Sequence, residues 1–193
     1  MITSTLAQLS PPPPETPLAG VALVASGSRQ FAAVAFSGEG VIEELEGRLD
    51  DRQAAQRLRE LADGLPIVTD ASPRAIDLLV RAGLRTPVVW DLLELAMLVV
   101  PTCPGGGLDA VATFFGIVAG GSGLLRQARR ARMLFELLLA TLDRVDNQTL
   151  LHVTRLAAGL DWPLRGLFSE LQRRRALSPL ETGALAAGAP VGG

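Results

Sequence analysis

Several residue types are missing or nearly missing from this chain of 193 residues. Lysine and tyrosine do not occur, so all 18 basic residues are arginine. The single cysteine, Cys103, excludes an intramolecular disulfide, and with the single histidine, His152, it is too little for a Cys/His zinc site. A Ser-His-Asp triad would need His152, whose immediate neighbours are leucine and valine. The commonest zinc and nucleophilic chemistries are therefore excluded.

Charge and long apolar runs are also scarce. The formal net charge is −2, so any nucleic-acid-binding surface must be a local patch. The apolar share of 48% and the charged share of 20% are typical of a folded domain. No apolar run is long enough to span a bilayer, and the N-terminus lacks the pattern of a secretory signal. We therefore expect a cytoplasmic protein without a membrane partner.

Composition divides the chain into four parts. Residues 1–18 contain four consecutive prolines, which favour extended polyproline II over a packed core, and predict a flexible lead. The patterns described below predict one folded domain over 19–146 and a helical connector over 147–177. Residues 178–193 are rich in alanine and glycine, which predicts a loose tail.

The N-terminal half predicts three successive strands. Apolar runs of strand length at 20–26 and 30–37 are followed, after a short turn, by a third predicted strand at 41–49 with Glu43, Glu44 and Glu46 near its edge, as in an antiparallel meander. A helix over 50–63 and a short strand over 66–69 follow. The next helix begins at Pro73 with Ser72 as its cap, and Ile76, Leu79 and Val80 form its predicted buried face.

Residues 88–117 form the central unit, VVWDLLELAMLVVPTCPGGGLDAVATFFGI. Its start predicts a strand over 87–90, and Asp91 then caps a short apolar helix. A Pro/Gly loop separates this helix from a second one, in which Asp109 is a predicted cap. A meander followed by β-α-β predicts an α/β fold with a mixed sheet flanked by helices.

A long amphipathic helix is predicted over 124–145. Its apolar positions recur at steps of three and four, at Ala128, Ala131, Phe135, Leu138 and Leu142. Arg126, Arg129 and Arg130 lie on the opposite side. Two further helices are predicted over 147–156 and 164–175, joined by a turn that contains Asp161.

These segments resemble the DEDDh-type (DnaQ-like) 3'-5' exonucleases, and above all the exonuclease domain at the front of DinG-type helicases. The central unit is similar to that family's "DTLELARLLLP" and "SLDSLAELLGI" through Asp91, Leu93, Glu94, Leu95, Ala96, Pro101, Leu108, Asp109, Phe115, Gly116 and Ile117. The segment RQARRARMLFELLLATLDRV resembles the family's last helix, and LDWPLRGLF resembles the connector that follows it. The resemblance implies a ribonuclease H-like fold over 19–146, a helicase domain or subunit as partner, and a role in DNA repair.

The family holds two Mg²⁺ or Mn²⁺ ions with four carboxylates and uses a histidine as general base. Carried over residue by residue, the carboxylates of the first motif fall on Val24 and Ser26, and the aspartate of the second motif falls on Ala75. The histidine of the third motif falls on Leu125 and its aspartate on Arg130. The resemblance thus implies that these five positions converge in space but have lost the catalytic site, and we expect no metal cofactor.

Three hypotheses of function follow. The first is a catalytically inactive exonuclease-like domain kept for nucleic-acid binding or scaffolding. In it, Arg126, Arg129 and Arg130 contact phosphates of single-stranded DNA, unless they pair with acids of the meander edge or face water. A walker-type phosphate loop is excluded for the chain because it needs lysine.

The second hypothesis is an active metal-dependent DNA exonuclease whose carboxylates have moved, with Asp70 and Asp77 as the candidates. The third is a protein-interaction module. In the third, the helices after residue 147 expose Trp162, Leu164, Leu167 and Phe168 to a partner.

Overall fold

The computed structural model describes residues 18–27, 29–85 and 88–177. The predicted lead and tail therefore lie almost entirely outside the described residues. The strands are β1 (Gly20–Ser26), β2 (Gln30–Ser37), β3 (Gly40–Arg48), β4 (Ile67–Thr69) and β5 (Val89–Asp91). The helices are α1 (Arg52–Ala62), α2 (Ser72–Arg81), α3 (Leu92–Val99), α4 (Leu108–Phe114), α5 (Gly123–Leu142), α6 (Asn147–Ala157) and α7 (Arg165–Leu177).

Within the described residues, the five strands form one mixed sheet in the order β3-β2-β1-β4-β5. The first three strands are an antiparallel meander, with Leu23 opposite Ala33 and Ala33 opposite Leu45. β4 pairs parallel with β1, and β5 pairs parallel with β4. The α/β class, the meander and the mixed sheet flanked by helices are thus confirmed.

The sheet separates two apolar clusters, because successive side chains of a strand point to opposite faces. On one face, Val24 and Val34 pack with α3, α4, α5 and residues of α6 and α7. On the other face, Leu23 and Ala33 pack with α1 and α2. The predicted apolar face of α5 is confirmed, since Ala128, Ala131, Phe135, Leu138 and Leu142 are all buried.

Two helix starts follow the sequence closely. The Asp51 carboxylate accepts from the backbone N–H groups of residues 53 and 54 and caps α1. This helix begins at Arg52, two residues after the predicted start. The Asp91 carboxylate accepts from the N–H groups of Leu93 and Glu94 and caps α3 as predicted. Each cap satisfies first-turn donors that have no partner within the helix.

The prediction for α2 was wrong in two details. Ala71 is its N-cap, and Ser72 is the first helical residue, whose hydroxyl donates to Asp91 Oδ2 at 2.9 Å. The packed face contains Ala75, Leu78 and Leu79, whereas Ile76 and Val80 are 42% and 56% exposed. Because apolar residues surround most of α2, periodicity did not determine which side faces the sheet.

The helix α5 ends earlier than predicted, at Leu142 rather than at residue 145. Arg175 of α7 donates to the backbone oxygens of Leu142 and Val145, so the last helix satisfies carbonyls at this helix end. The helical connector is also fixed to α3, since Trp162 Nε1 donates to Glu94 Oε1 at 2.7 Å. No helix among the described residues is long and apolar enough to cross a membrane.

Candidate functional site

The candidate site lies at the edge where the parallel strands end. β1, β4 and β5 run in the same direction, so the residues that end or follow them share one edge of the sheet. Ser26 ends β1, Asp70 follows β4 and Asp91 ends β5. Ligand sites in α/β proteins commonly lie at this carboxyl edge. The edge is therefore the place to test each predicted site residue.

Four of the predicted positions differ in burial, and the two buried ones do not suit a metal ligand. Val24 is 3% exposed in the cluster on the α5 face of the sheet. Ala75 is 0% exposed in the cluster on the α1 and α2 face. Ser26 is exposed at the end of β1, and Leu125 of α5 is half-buried against the first cluster. The two buried positions offer no oxygen donor, and because they lie on opposite faces of the sheet, the expectation that all five positions converge is wrong for Val24 and Ala75.

Arg130 is bound to a carboxylate of a neighbouring helix. Its Nη1 donates to Asp109 Oδ1, and the Arg130 side chain is only 18% exposed. Asp109 is thus not the cap that the sequence predicted: the N-cap of α4 is Gly107, at a φ of 89°, which favours glycine. The Asp109 carboxylate is instead directed toward α5, where it forms an ion pair with Arg130.

Arg129 forms a different contact, with the edge of the meander. Its guanidinium donates to both oxygens of Glu44 at 2.7 and 2.6 Å, and also to the backbone oxygen of Gly120 at 3.0 Å. Arg129 thus makes three hydrogen bonds to two partners. It lowers the pKa of Glu44, chiefly by hydrogen bonding. Of the two predicted alternatives for Arg129, pairing with an acid of the meander edge is confirmed.

Arg126 and Arg130 have donors that the described residues leave unused. The Nε atoms of both side chains are buried and have no hydrogen-bond partner within the described part of the chain. The two residues are one turn apart on α5 and lie on the same side of the helix. A buried N–H without an acceptor is unfavourable, and because both Nε atoms are buried, an anion reaches them only if these side chains move.

Asp70 is the acid at this edge whose environment disfavours ionisation. Its pKa is raised, first by burial and then by the negative charges of Asp91 and Asp109, and Arg74 only partly opposes this. The electrostatic proximity of Asp70, Asp91 and Asp109 is a feature that sequence reasoning missed. These residues are far apart in the chain, and no local pattern relates them.

The acids at the carboxyl edge do not form the two-metal site that the resemblance describes. Asp91 already accepts from two backbone amides and from Ser72, and Asp109 is bound to Arg130. Asp77, the other displaced-carboxylate candidate, is on the exposed side of α2 in an ion pair with Arg81. No group of three or more His, Cys, Asp or Glu residues in the described ranges could hold a metal ion. Two divalent cations do not fit this donor set.

The side chains that the third hypothesis names in the helical connector do not form an exposed apolar surface. Leu164, Leu167 and Phe168 are at most 2% exposed, and they belong to the cluster on the α5 face. Trp162 stacks on Phe168 with a centroid separation of 5.4 Å and is hydrogen-bonded to Glu94. The expectation that these side chains await a partner is therefore wrong, because the chain covers them itself.

An open groove of about 1200 Å³ lies at the opposite end of the parallel strands. Its described lining includes Pro66 and Val88, which precede β4 and β5, together with Arg59 and Arg85. None of the predicted site residues lines it. This groove and the candidate site are thus separate places.

Comparisons of the chain with protein-family models, with curated proteins and with solved structures gave no match in any of the three.

Proposed function

We propose that this chain is a catalytically inactive exonuclease-like domain of ribonuclease H-like fold, kept for binding rather than for cleavage. The strand order β3-β2-β1-β4-β5, with three antiparallel strands followed by two parallel ones, is compatible with that fold. The observation that carries the proposal is the carboxyl edge itself. Val24 and Ala75 are buried apolar residues on opposite faces of the sheet, and Arg130 brings a positive charge where the family has a metal-binding aspartate.

A positive charge and two apolar side chains oppose a divalent cation in a simple way. Hard cations need several oxygen ligands to replace their hydration shell, and the aligned positions offer the Ser26 hydroxyl as their one side-chain oxygen. The guanidinium of Arg130 repels a cation in its vicinity. The position of the general base is Leu125, which cannot accept a proton. The aligned positions therefore provide neither the metal ligands nor the general base that the family's cleavage chemistry needs.

Binding without cleavage uses the arginines differently from the way the sequence suggested. Each of the three side-chain nitrogens of Arg129 donates to Glu44 or to the Gly120 oxygen, whereas the described residues leave the buried Nε donors of Arg126 and Arg130 unused. Phosphate oxygens are suitable acceptors for guanidinium donors. We propose that single-stranded DNA contacts Arg126 and Arg130, and that a helicase domain or subunit is the protein partner which the resemblance implies.

The test measures binding and cleavage in the same samples. Fluorescence anisotropy of a labelled single-stranded 12-mer should show binding at 25 mM salt that weakens with a log–log slope of about −1.4, as expected for two phosphate contacts. Arg126→Ala should reduce that slope by about 0.7. Arg155→Ala is the control, because Arg155 is exposed on α6 and makes no ion pair with any described residue.

Each half of the proposal has its own contrary result. Absence of binding at low salt would remove nucleic acid as the ligand and leave scaffolding as the role. Shortening of the labelled DNA in Mg²⁺ or Mn²⁺ would show that the domain is active. The Arg129→Ala variant should resemble the Arg155→Ala control in DNA affinity, since Arg129 already has its acceptors.

The second candidate is a metal-dependent exonuclease with displaced carboxylates, and Asp70 is the residue that favours it. Asp70 follows β4 at the carboxyl edge, and its raised pKa is a property that catalytic acids share. Asp77 does not support the idea, because its carboxylate is engaged by Arg81 on the exposed side of α2. DNA shortening that is lost in Asp70→Asn and retained in Asp77→Asn would establish this alternative.

A further inference from the structure

The outer strand of the meander, β3, has an edge with unused backbone groups. In the described part of the chain no strand lies beyond β3. Leu49 N–H donates to the Arg29 oxygen at 2.9 Å, which fixes these two residues as a hydrogen-bonded pair of the β2–β3 ladder. Hydrogen-bonded pairs alternate in an antiparallel ladder. In the register of the β2–β3 ladder, residues 43, 45 and 47 therefore bond to β2, and Glu44, Glu46 and Arg48 direct their backbone groups outward.

This open edge has clear limits. A bulge between Ala35 and Phe36 in the register places Ile42 as an extra residue on β3, and a turn follows Arg48. The regular part between the two is long enough for an added strand of about five residues. Strand addition at such an edge is a recurring mode of peptide recognition, in which backbone hydrogen bonds provide affinity and side chains provide selectivity.

The side chains along this edge indicate what an added strand must carry. Glu44 is bound to Arg129, and Arg48 is bound to Asp50 at 2.9 Å through two nitrogens. Glu46 makes no ion pair or hydrogen bond with any described side chain. It borders an open hollow of about 380 Å³ whose described lining is Gln30, Glu46, Gly47, Arg48, Gly123 and Leu124.

We propose that the β3 edge binds an extended segment of a partner protein that places an arginine or lysine opposite Glu46. Opposite charges on directly facing strand residues are favourable, and like charges are unfavourable. The backbone groups of Glu44, Glu46 and Arg48 pair with the segment, and its basic side chain lies in the hollow beside Glu46. This inference does not depend on the proposed loss of nuclease activity.

A second copy of the chain is a poorer occupant of the same edge. Antiparallel pairing of two β3 strands centred on Glu44, Leu45 or Glu46 brings glutamates of the two copies opposite each other. Pairing centred on Gly47 overlaps only between Glu46 and Arg48, which leaves too few ladder bonds. Charge complementarity therefore favours a different chain with a basic residue.

The test uses two capped peptides, Thr-Val-Arg-Val-Thr and Thr-Val-Glu-Val-Thr, titrated into the ¹⁵N-labelled full chain. The arginine peptide should shift the amide signals of Glu44, Glu46 and Arg48, and it should bind about threefold more tightly than the glutamate peptide. Glu46→Lys should reverse this preference. Glu46 is exposed, so the substitution should leave the fold intact, which the remaining amide signals will show.

The matched control is Glu39→Lys, which makes the same charge change in the turn before β3 and should not reverse the preference. Unchanged signals of the three edge amides at millimolar peptide would overturn the proposal. Equal binding of the two peptides, with no reversal in Glu46→Lys, would also overturn it. Concentration-dependent shifts of the same amides without peptide would assign the edge to a second copy and contradict the choice of occupant.

Discussion

The acidic residues of the outer strand β3 have different partners from those at the carboxyl edge, where the parallel strands end. Along β3, carboxylates point away from the core and meet arginines of both flanking layers: Glu43 binds Arg57 of α1, and Glu44 binds Arg129 of α5. At the carboxyl edge of the parallel strands, Asp91 caps helix α3 and Asp109 binds Arg130. Burial destabilises the ionised form of Asp70 and raises its pKa.

The difference shows how an edge with several acids can still lack a metal site. On β3, Glu43 and Glu44 bind arginines of α1 and α5 and so fasten these helices to the sheet. At the carboxyl edge each acid either satisfies a neighbouring donor or is disfavoured in its charged form. Neither edge brings free carboxylates together in the way that a cation needs.

The largest effect should come from placing a charge in the buried part of the carboxyl edge. Val24→Asp introduces an unpaired carboxylate at a position that is 3% exposed, and it should lower the free energy of unfolding by about 3 kcal/mol or more. Ser26→Asp, at the exposed end of the same strand, should change it by less than about 0.5 kcal/mol. Urea denaturation compares the two. An equally stable Val24→Asp protein whose Tm rises with Mn²⁺ would contradict the account.

The next largest effect concerns Asp91, which has three donors. Asp91→Ala removes the cap of α3 and leaves the Ser72 hydroxyl without its acceptor, so we expect a loss of about 1–2 kcal/mol. Asp77→Ala loses only the exposed pair with Arg81 and should cost about 0.5 kcal/mol or less. Equal losses in thermal unfolding would mean that Asp91 is not a structural residue.

A smaller effect is expected on β3. Glu44→Gln should cost about 0.5–1 kcal/mol at neutral pH, because it weakens a two-oxygen contact with Arg129. Arg129 lowers the pKa of Glu44 in the folded state, so this stabilisation is present above the unfolded pKa and is lost as the pH falls. Glu46→Gln should leave stability nearly unchanged at neutral pH, because the Glu46 carboxylate makes no ion pair or hydrogen bond with a described side chain. Urea midpoints compare the two variants at neutral pH, and midpoints of the unmodified protein and of Glu44→Gln across the acidic range follow the loss of the Glu44 contribution.

Asp70→Asn should give the smallest effect and the opposite sign. Burial and neighbouring acids raise the pKa of Asp70 in the folded state, so the fold loses stability as the pH rises from the unfolded pKa of Asp70 through its folded pKa. Removing the charge should therefore stabilise the protein slightly at neutral pH and leave stability at low pH almost unchanged. A destabilised Asp70→Asn variant at neutral pH would indicate an unrecognised partner of the carboxylate.

The sequence carried most of the fold because local periodicity and turn residues specify it. The meander was predictable from two short apolar runs and the turn that precedes a third strand, and the buried face of α5 from the spacing of Ala128, Ala131 and Phe135. The orientation of α2 was not predictable. Ala75, Leu78 and Leu79 compete with Ile76 and Val80 for the packed side, and only tertiary contact with the sheet decides between them.

The candidate site was less predictable, because its contacts join distant parts of the chain. Glu44 and Arg129 are 85 positions apart, and Asp109 and Arg130 are 21 apart. Asp109 in a first helical turn is consistent with a cap or with an ion pair, and the local sequence does not choose between them. The burial of Asp70 beside Asp91 and Asp109 likewise depends on how β4, β5 and α4 meet.

Calorimetric titration of the unmodified protein with Mn²⁺ tests the central claim most directly, because it measures the metal site without requiring the right DNA substrate. The account predicts no stoichiometric heat of binding, since the aligned positions provide apolar side chains, one hydroxyl and a guanidinium. Binding at micromolar strength with one or two sites per chain, lost in Asp70→Asn, would contradict it and establish the displaced-carboxylate enzyme.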